Sequence, residues 1–333
     1  MFYDTYGNLN IKESFNNTIN NSKKRILISR ILGNDLSALH NKDQTYNNLK
    51  FTLENETDFN KLTNKYEISY LYVLNRIYSH EKKRRIIDLL NKYNKQYVDL
   101  KFCKNEFYKC FDKSNIDIFK NNIILKDNYK NDKILLKNQL KKFNLYIINN
   151  NGSRNFCVDY GKKNNYDWNF VLDSNSYFTD NMFLDIINNI NDNSRYILID
   201  QLRLAENNLK NNDLLKENIH LELSKLPKRE AQIAFHLNSK YKFNENIPYG
   251  SAPKQEMINL IKGREKSKNR DSFKHYKIPQ RSKTDEIYQS LSSIIRLDPD
   301  NPKNKIKANI FNRNLGLYEL IMQIKDDLKI SLD

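Results

Sequence analysis

Apolar positions along this chain fall into short runs separated by amphipathic stretches, and that alternation outlines most of the elements. The run Lys-Arg-Ile-Leu-Ile-Ser-Arg at 24–30 predicts a first strand, ending at the polar turn Gly33-Asn34-Asp35. Helical spacing of Tyr46, Leu49 and Leu53 follows over 45–57, and the nearly continuous apolar segment 69–77 predicts a buried strand ending at Asn75 and Arg76. Ile86, Ile87, Leu89 and Leu90 mark one side of a basic helix over 80–93, and 97–102 reads as a third strand. Further on, 132–143 is helical in pattern and 145–148 is a short apolar run. A turn around Gly152 opens a helix over 153–165, and Trp-Asn-Phe-Val-Leu at 168–172 makes a strand that stops at Asp173-Ser174-Asn175. Thr179 caps the next helix, and 195–199 is again a strand.

Strands alternating with helices in this way predict an α/β fold with a mostly parallel sheet, whose ligands sit at the carboxyl ends of the strands. Beyond Ala205 the alternation gives way to a polar excursion, then a strand over 230–237 and an amphipathic helix over 253–261. The divisions that follow are a polar tail over 1–23, a main domain over 24–262, a basic connection over 263–283, and a helical extension over 284–333 with its helix at 307–328. No internal repeat interrupts this order.

Composition narrows the functional classes. Aromatic residues make up 12% of the 333 positions, too many for a disordered chain. Three cysteines at 103, 110 and 157 make neither a disulfide framework nor a zinc spacing, which points to a reducing compartment. The seven glycines allow neither a GxGxxG nor a P-loop pattern, which removes the usual dehydrogenases, P-loop ATPases and kinases. The first 22 residues are polar and lack the order of a signal peptide, and no apolar run is long enough to span a bilayer, so a cytoplasmic location is expected. The net charge of +16 favours anionic ligands, yet it accompanies an Asn content of about one residue in six. Such a bias along the whole chain reflects AT-rich codons more than a nucleic-acid-binding patch.

Candidate chemistry collects at the polar strand ends. Asp173, directly after a buried strand, is either a carboxylate for a hard divalent cation beside a diphosphate or the cap of the next turn. Gly152-Ser153-Arg154-Asn155 opens a helix where free N–H groups favour anions, and Arg154 suits bidentate phosphate binding. One helix and one strand separate the two, which brings them to the same sheet edge. The stretch from Gly152 to Asn175 resembles the glycosyltransferases of GT-A fold that are similar to family 2, in which a Gly-x-Arg-Asn helix start precedes a strand ending in Asp-x-Asp. Arg30 through Asp35, Gln44-Thr45, Leu53 through Glu56, and Val73 through Ile77 resemble the first half of a group of such enzymes from AT-rich genomes, large DNA viruses among them. Glu230 through Ile233, Phe243 through Glu245, and Tyr249-Gly250 with Lys254 and Glu256 resemble the second half, so the likeness covers roughly 25–262.

The resemblance implies a GT-A, Rossmann-like fold: a mixed, mostly parallel sheet flanked by helices. It also implies hexosyl transfer from a nucleotide-sugar donor, with UDP the expected nucleotide, to a hydroxyl acceptor on a glycan or protein, assisted by manganese or magnesium. It places Arg30, Asn34, Asp35, Asn75 and Arg76 near the nucleobase and ribose, Arg154 near the donor, and Asp173 at the metal. Asn175 stands where the motif carries an aspartate, which removes a negative charge and weakens the metal site. His236 is either a third metal ligand or a half-buried histidine. Inverting transfer needs a carboxylate base, for which Glu230 and Glu245 are candidates; both are equally readable as solvated or Arg-paired carboxylates. Two other classes remain: a non-catalytic sugar-nucleotide-binding protein with a degenerate site, and a basic nucleic-acid-binding protein. In the viral case the host cytoplasm or the virion is the expected location.

Overall fold

The computed structural model describes residues 23–37, 40, 43–112, 115–120, 133–203, 228–262, 287–297 and 310–331. The expected polar tail, the polar excursion up to residue 227 and the basic connection at 263–283 lie outside these residues.

Among the described residues, eight strands form one sheet: β1 (Lys24–Leu32), β2 (Tyr66–Asn75), β3 (Tyr97–Leu100), β4 (Trp168–Asp173), β5 (Ser176–Tyr177), β6 (Tyr196–Arg203), β7 (Lys228–His236) and β8 (Tyr288–Arg296). Their spatial order is β3-β2-β1-β4-β7-β6-β8-β5. The β3-β2, β2-β1, β1-β4 and β6-β8 pairs are parallel, whereas β4-β7, β7-β6 and β8-β5 are antiparallel. The fold is therefore α/β with a mixed, mostly parallel sheet. The first three strands step outward from β1, and β4 then pairs on its other side, so the chain reverses direction across the sheet at the β1/β4 boundary.

Helices α1 (Gln44–Asn55), α2 (His80–Lys92), α3 (Lys104–Tyr108), α4 (Ile116–Lys120), α5 (Lys133–Gln139), α6 (Asn150–Lys163), α7 (Asp180–Asn188), α8 (Pro253–Ile261) and α9 (Ile310–Asp327) complete the fold. Strand alternation decides which helix meets which residue. Ile26, Ile28, Phe170 and Leu172 face Met182, Phe183, Ile186 and Ile187 of α7, while Leu32, Tyr72 and Leu74 on that face pack with Leu49 of α1 and Leu89 and Leu90 of α2. On the opposite face, Leu27, Ile31 and Val171 meet Cys157 and Val158 of α6 and Met257, Ile258 and Ile261 of α8. Burial on both faces explains why β1, β2 and β4 read as apolar runs rather than as alternating strands.

Local signals set the helix starts. The Ser79 hydroxyl accepts from Lys82 N at 3.3 Å, and the Thr179 hydroxyl accepts from Met182 N at 3.3 Å, capping α2 and α7. α6 begins at Asn150, three residues before the predicted start, because Asn149 takes a left-handed conformation with φ 41°. The short apolar run 145–148 lies in a π-helical turn over Asn144–Ile148. Its first residue is fixed by the Asn144 carboxamide, which accepts from Tyr249 N at 2.7 Å and donates to Tyr249 O at 3.1 Å.

The C-terminal part corrects the expectation of a purely helical extension. Residues 288–296 form β8 inside the sheet, parallel to β6 and antiparallel to β5. Its polar residues Gln289, Ser290, Ser292 and Ser293 hide the strand from a hydrophobicity reading. The predicted terminal helix is present as α9. Leu317, Tyr318, Ile321 and Ile324 bury it against Phe107, Phe119, Leu136 and Phe143 of the helical region between β3 and β4, with Tyr318 stacked on Phe119.

Candidate functional site: a cationic cleft at the sheet reversal

A cleft of about 280 Å³ opens where β1, β2 and β4 end. Ile31, Gly33 and Asn34 line it from β1, Asn75 from β2, and Asp173, Ser174 and Asn175 from β4. The β1/β4 boundary is where open α/β sheets leave a crevice for ligands, because the connections on either side depart in opposite directions. The start of α1 contributes Thr45 and Asn48, the loop before α8 contributes Tyr249 and Gly250, and Arg296 and Arg313 come from β8 and α9.

Asp173 sits at the centre of a charge cluster. Its side chain has the same alternation as Val171 and therefore points to the face covered by α6 and α8. Arg154 of α6 donates from Nη2 to Oδ1 at 2.9 Å, and Lys254 of α8 donates from Nζ to Oδ2 at 2.9 Å. Gln232 of β7 adds Nε2 to Oδ2 at 3.2 Å. Arg154 is further held by Asn151 Oδ1 at 2.9 Å and lies over the Phe243 ring. Burial alone would raise the Asp173 carboxyl, but Lys254 and Arg154 outweigh it and hold the group well below the usual carboxylate range.

Among the described lining residues, four cationic side chains (Arg154, Lys254, Arg296 and Arg313) face a single carboxylate, Asp173. Arg313 stacks on Tyr249 with its guanidinium carbon 5.1 Å from the ring centre, and its Nε is buried without a hydrogen-bond partner. Gly250, at φ +90°, leaves the room for this packing: a Cβ there would stand 3.3 Å from Arg313 Cδ. His40 is on the same wall, its Nδ1 accepting from Leu36 N at 2.9 Å. Burial, helped by Arg296 and Arg313 against the pull of Asp35, depresses its pKa. The neutral imidazole adds no charge to the cleft at pH 7.

The structure brings Asn34, Asn75, Arg154, Asp173 and Asn175 together at the cleft and sends other predicted residues elsewhere. Asn34 and Asn75 are also structural clamps: Asn34 Nδ2 donates to Arg76 O at 2.9 Å, and Asn75 Nδ2 donates to Ile148 O at 2.6 Å. Arg30 is corrected. Between Ile28 and Leu32 on the α7 side of β1, it is wholly buried and bonds Glu56 Oε1 at 2.5 Å. Arg76 is corrected likewise: its φ of +50° turns the side chain to the π-helical segment, where Nη1 donates to Tyr146 O at 2.6 Å and the guanidinium covers the Tyr146 ring. Asp35 caps the start of α1, accepting from Thr45 N at 3.0 Å and from the Thr45 hydroxyl at 2.7 Å.

Glu245 accepts from Asn155 Nδ2 at 2.7 Å and anchors the loop before α8, outside the cleft lining. The backbone of Glu230 lies in β7 at the cleft edge, two residues before Gln232. His236 is corrected as a metal ligand. β7 runs antiparallel to β4, so His236 pairs with Trp168 at the opposite end of the sheet from Asp173, and its ring meets the Trp168 indole edge-on.

The donor set does not fit the divalent cation that the resemblance implies. Both oxygens of Asp173 are engaged by cations, Asn175 carries no charge, and no group of three His, Cys, Asp or Glu residues with metal-binding geometry exists among the described residues.

Sequence reasoning assigns no role to Lys254, Arg296 or Arg313. A signal exists for two of them. Lys254 shares its helical phase with Met257, Ile258 and Ile261, and Arg313 shares its phase with Leu317 and Ile321. A cation in an apolar stripe has to find a partner on the buried side. Arg296 has no such signal, because the strand that carries it is not visible in the sequence.

No protein-family model matches the sequence, and no curated protein matches it. Among solved structures, the chain is similar to the 4-diphosphocytidyl-2C-methyl-D-erythritol synthase from Anaerococcus prevotii, at 11% identity over 93% of this chain and 98% of that one, with a TM-score of 0.31. It is also similar to the mannosyltransferase Ktr4p from S. cerevisiae in complex with GDP, at 13% identity over 55% of this chain and 41% of that one, with a TM-score of 0.25. At these scores the class of the protein rests on its own sheet order and pairing: a mixed α/β fold with a crevice at the reversal point. No helix among the described residues is long and apolar enough to cross a membrane.

Proposed function

We propose that the cleft binds a nucleoside-diphosphate sugar and that the protein is a glycosyltransferase. The observation that carries this reading is the four-to-one excess of cationic side chains among the described lining residues of a crevice at the β1/β4 reversal. A nucleoside diphosphate supplies the anionic charge that such a crevice is built to hold, and the sequence resemblance over 25–262 supports a sugar as the group it carries. In the transfer, the bond between the anomeric carbon and the diphosphate oxygen breaks, and its electron pair leaves with the diphosphate. The acceptor hydroxyl oxygen forms the new bond to that carbon and gives up its proton. Glu230, whose strand position lies at this edge, is the carboxylate we assign to receive it. UDP is the nucleotide we assign to the donor, and a glycan or protein hydroxyl is the acceptor.

The test is calorimetric titration with UDP, GDP and CDP and with their common sugar conjugates, followed by measurement of nucleotide release from each conjugate that binds. Binding of at least one conjugate in the micromolar range, with slow release of its nucleotide in water, is expected. Folded protein that binds none of them refutes the reading. Binding without any release identifies the site as a sensor, not an enzyme.

A further inference from the structure

We infer that the cleft takes its nucleoside diphosphate without a divalent cation, the charge of the metal being supplied by Lys254 on Asp173 and by Arg296 and Arg313 from the C-terminal segment. The inference rests on the reading of the cleft as a nucleoside-diphosphate site and concerns how that site is charged. Three observations carry it.

The first is the state of Asp173. Among the described lining residues Asp173 is the one carboxylate the protein offers a cation, and each of its oxygens already receives a hydrogen bond from a positively charged group at 2.9 Å. Neither donor is a surface side chain free to swing away: Arg154 and Lys254 are each 5% exposed and are fixed on α6 and α8. A divalent ion there would displace one cation and remain beside the other, against like-charge repulsion in a partly desolvated site.

The second is the neighbouring ligand set. Ser174 and Asn175 are neutral, and Asn175 O is committed to Leu297 N at 2.8 Å. The third is the far wall. Antiparallel pairing of Ser176 with Arg296 sets the last residue of β8 beside Asn175, and α9 brings Arg313 with a buried Nε that lacks a partner. Fixed guanidinium groups bind phosphate oxygens in a planar fork. The clamp therefore has two sides, Lys254 on the sheet side and the two arginines on the C-terminal side.

The experiment titrates the full chain with UDP in EDTA and again in excess manganese. The expected result is the same affinity within about twofold, together with a free-manganese electron paramagnetic resonance signal that the protein does not deplete. Lys254→Met is expected to weaken UDP by about tenfold or more, and Arg296→Ala by about three- to tenfold. Thermal melting shows whether Lys254→Met folds; Arg296 is half-buried at a strand end, and its variant keeps the test open if Lys254→Met does not. UDP binding that appears only with manganese, or strengthens with it by about tenfold, overturns the inference and leaves the nucleotide-sugar reading standing. Wild-type affinity in both variants also overturns it. Failure of UDP, GDP and CDP to bind in either buffer removes the nucleotide reading itself.

Discussion

Arg30 and Glu56 form an ion pair from which water is almost wholly excluded, with side-chain exposures of 1% and 5%. The carboxylate also accepts from Phe178 N at 3.2 Å, so it ties β1, the end of α1 and the segment before α7 together. Removing one partner strands the other charge in the core, and Glu56→Ala should cost about 3–5 kcal/mol in urea denaturation. Replacing both, Arg30→Met with Glu56→Leu, should recover most of that loss, because the pair's desolvation cost disappears with it.

Asp173 leads to a prediction in pH. Its folded pKa lies well below the ordinary value of 3.8, so the unfolded chain takes up the proton first as the medium is acidified. The stability contributed by its ion pairs is present in full above about pH 3.8 and is lost as pH falls from there through the folded value. The gap in unfolding free energy between wild type and Asp173→Asn should therefore stay constant from pH 7 down to about 4 and narrow only below that. A gap that already closes between pH 7 and 5 would show that Lys254 and Arg154 do not hold this carboxylate.

Helix α6 shows how one element positions the cleft. Its first turn packs under Asn149, and a Cβ on Gly152 would lie 2.1 Å from Asn149 Oδ1, a clash that rotation of the Asn149 side chain relieves. Because alanine also favours the helix by about 1 kcal/mol, Gly152→Ala should shift the unfolding free energy by no more than about 1 kcal/mol, measured by thermal or urea unfolding. The change should show instead at the cleft floor, where the rotated Asn149 carboxamide loses its hydrogen bond to Asn75. Much of this level was legible in the sequence. The runs that became β1, β2 and β4 are apolar on both faces, and the helices from 80, 180 and 253 begin at capping residues or Pro253. What the sequence hid had physical causes. β8 is mostly polar from Gln289 to Ser293, and only its last residues, Ile294 and Ile295, reach the core, too short an apolar run to mark a strand. Arg30 and Arg76 were misplaced because strand parity and a single positive φ decide where a long side chain points, and neither follows from residue type. His236 looked like a ligand until the antiparallel direction of β7 placed it at the far end of the sheet.

At the scale of the whole molecule, α9 matters beyond its own packing. Ile321 is fully buried among the aromatic residues of the region between β3 and β4, two turns from Arg313. Ile321→Ala should cost about 2–5 kcal/mol in unfolding experiments. If the helix detaches before the sheet melts, proteolysis should cut near α9 first.

The insertion of β8 between β6 and β5 also has a consequence for biosynthesis. Among the described residues, strand β5, at residues 176–177, has no sheet neighbour other than β8, whose partner residues are 295 and 296. During vectorial synthesis the ribosome delivers Asp173, Arg154 and the β1/β4 boundary long before β8, and Arg313 later still. Until then the crevice has one wall, and an early-emerging β6 presents an open edge of the kind chaperones cover. The cleft is thus lined on both sides only after nearly all of the described chain has been translated, so that a nascent chain stalled before residue 288 would carry Asp173 and Arg154 and neither Arg296 nor Arg313.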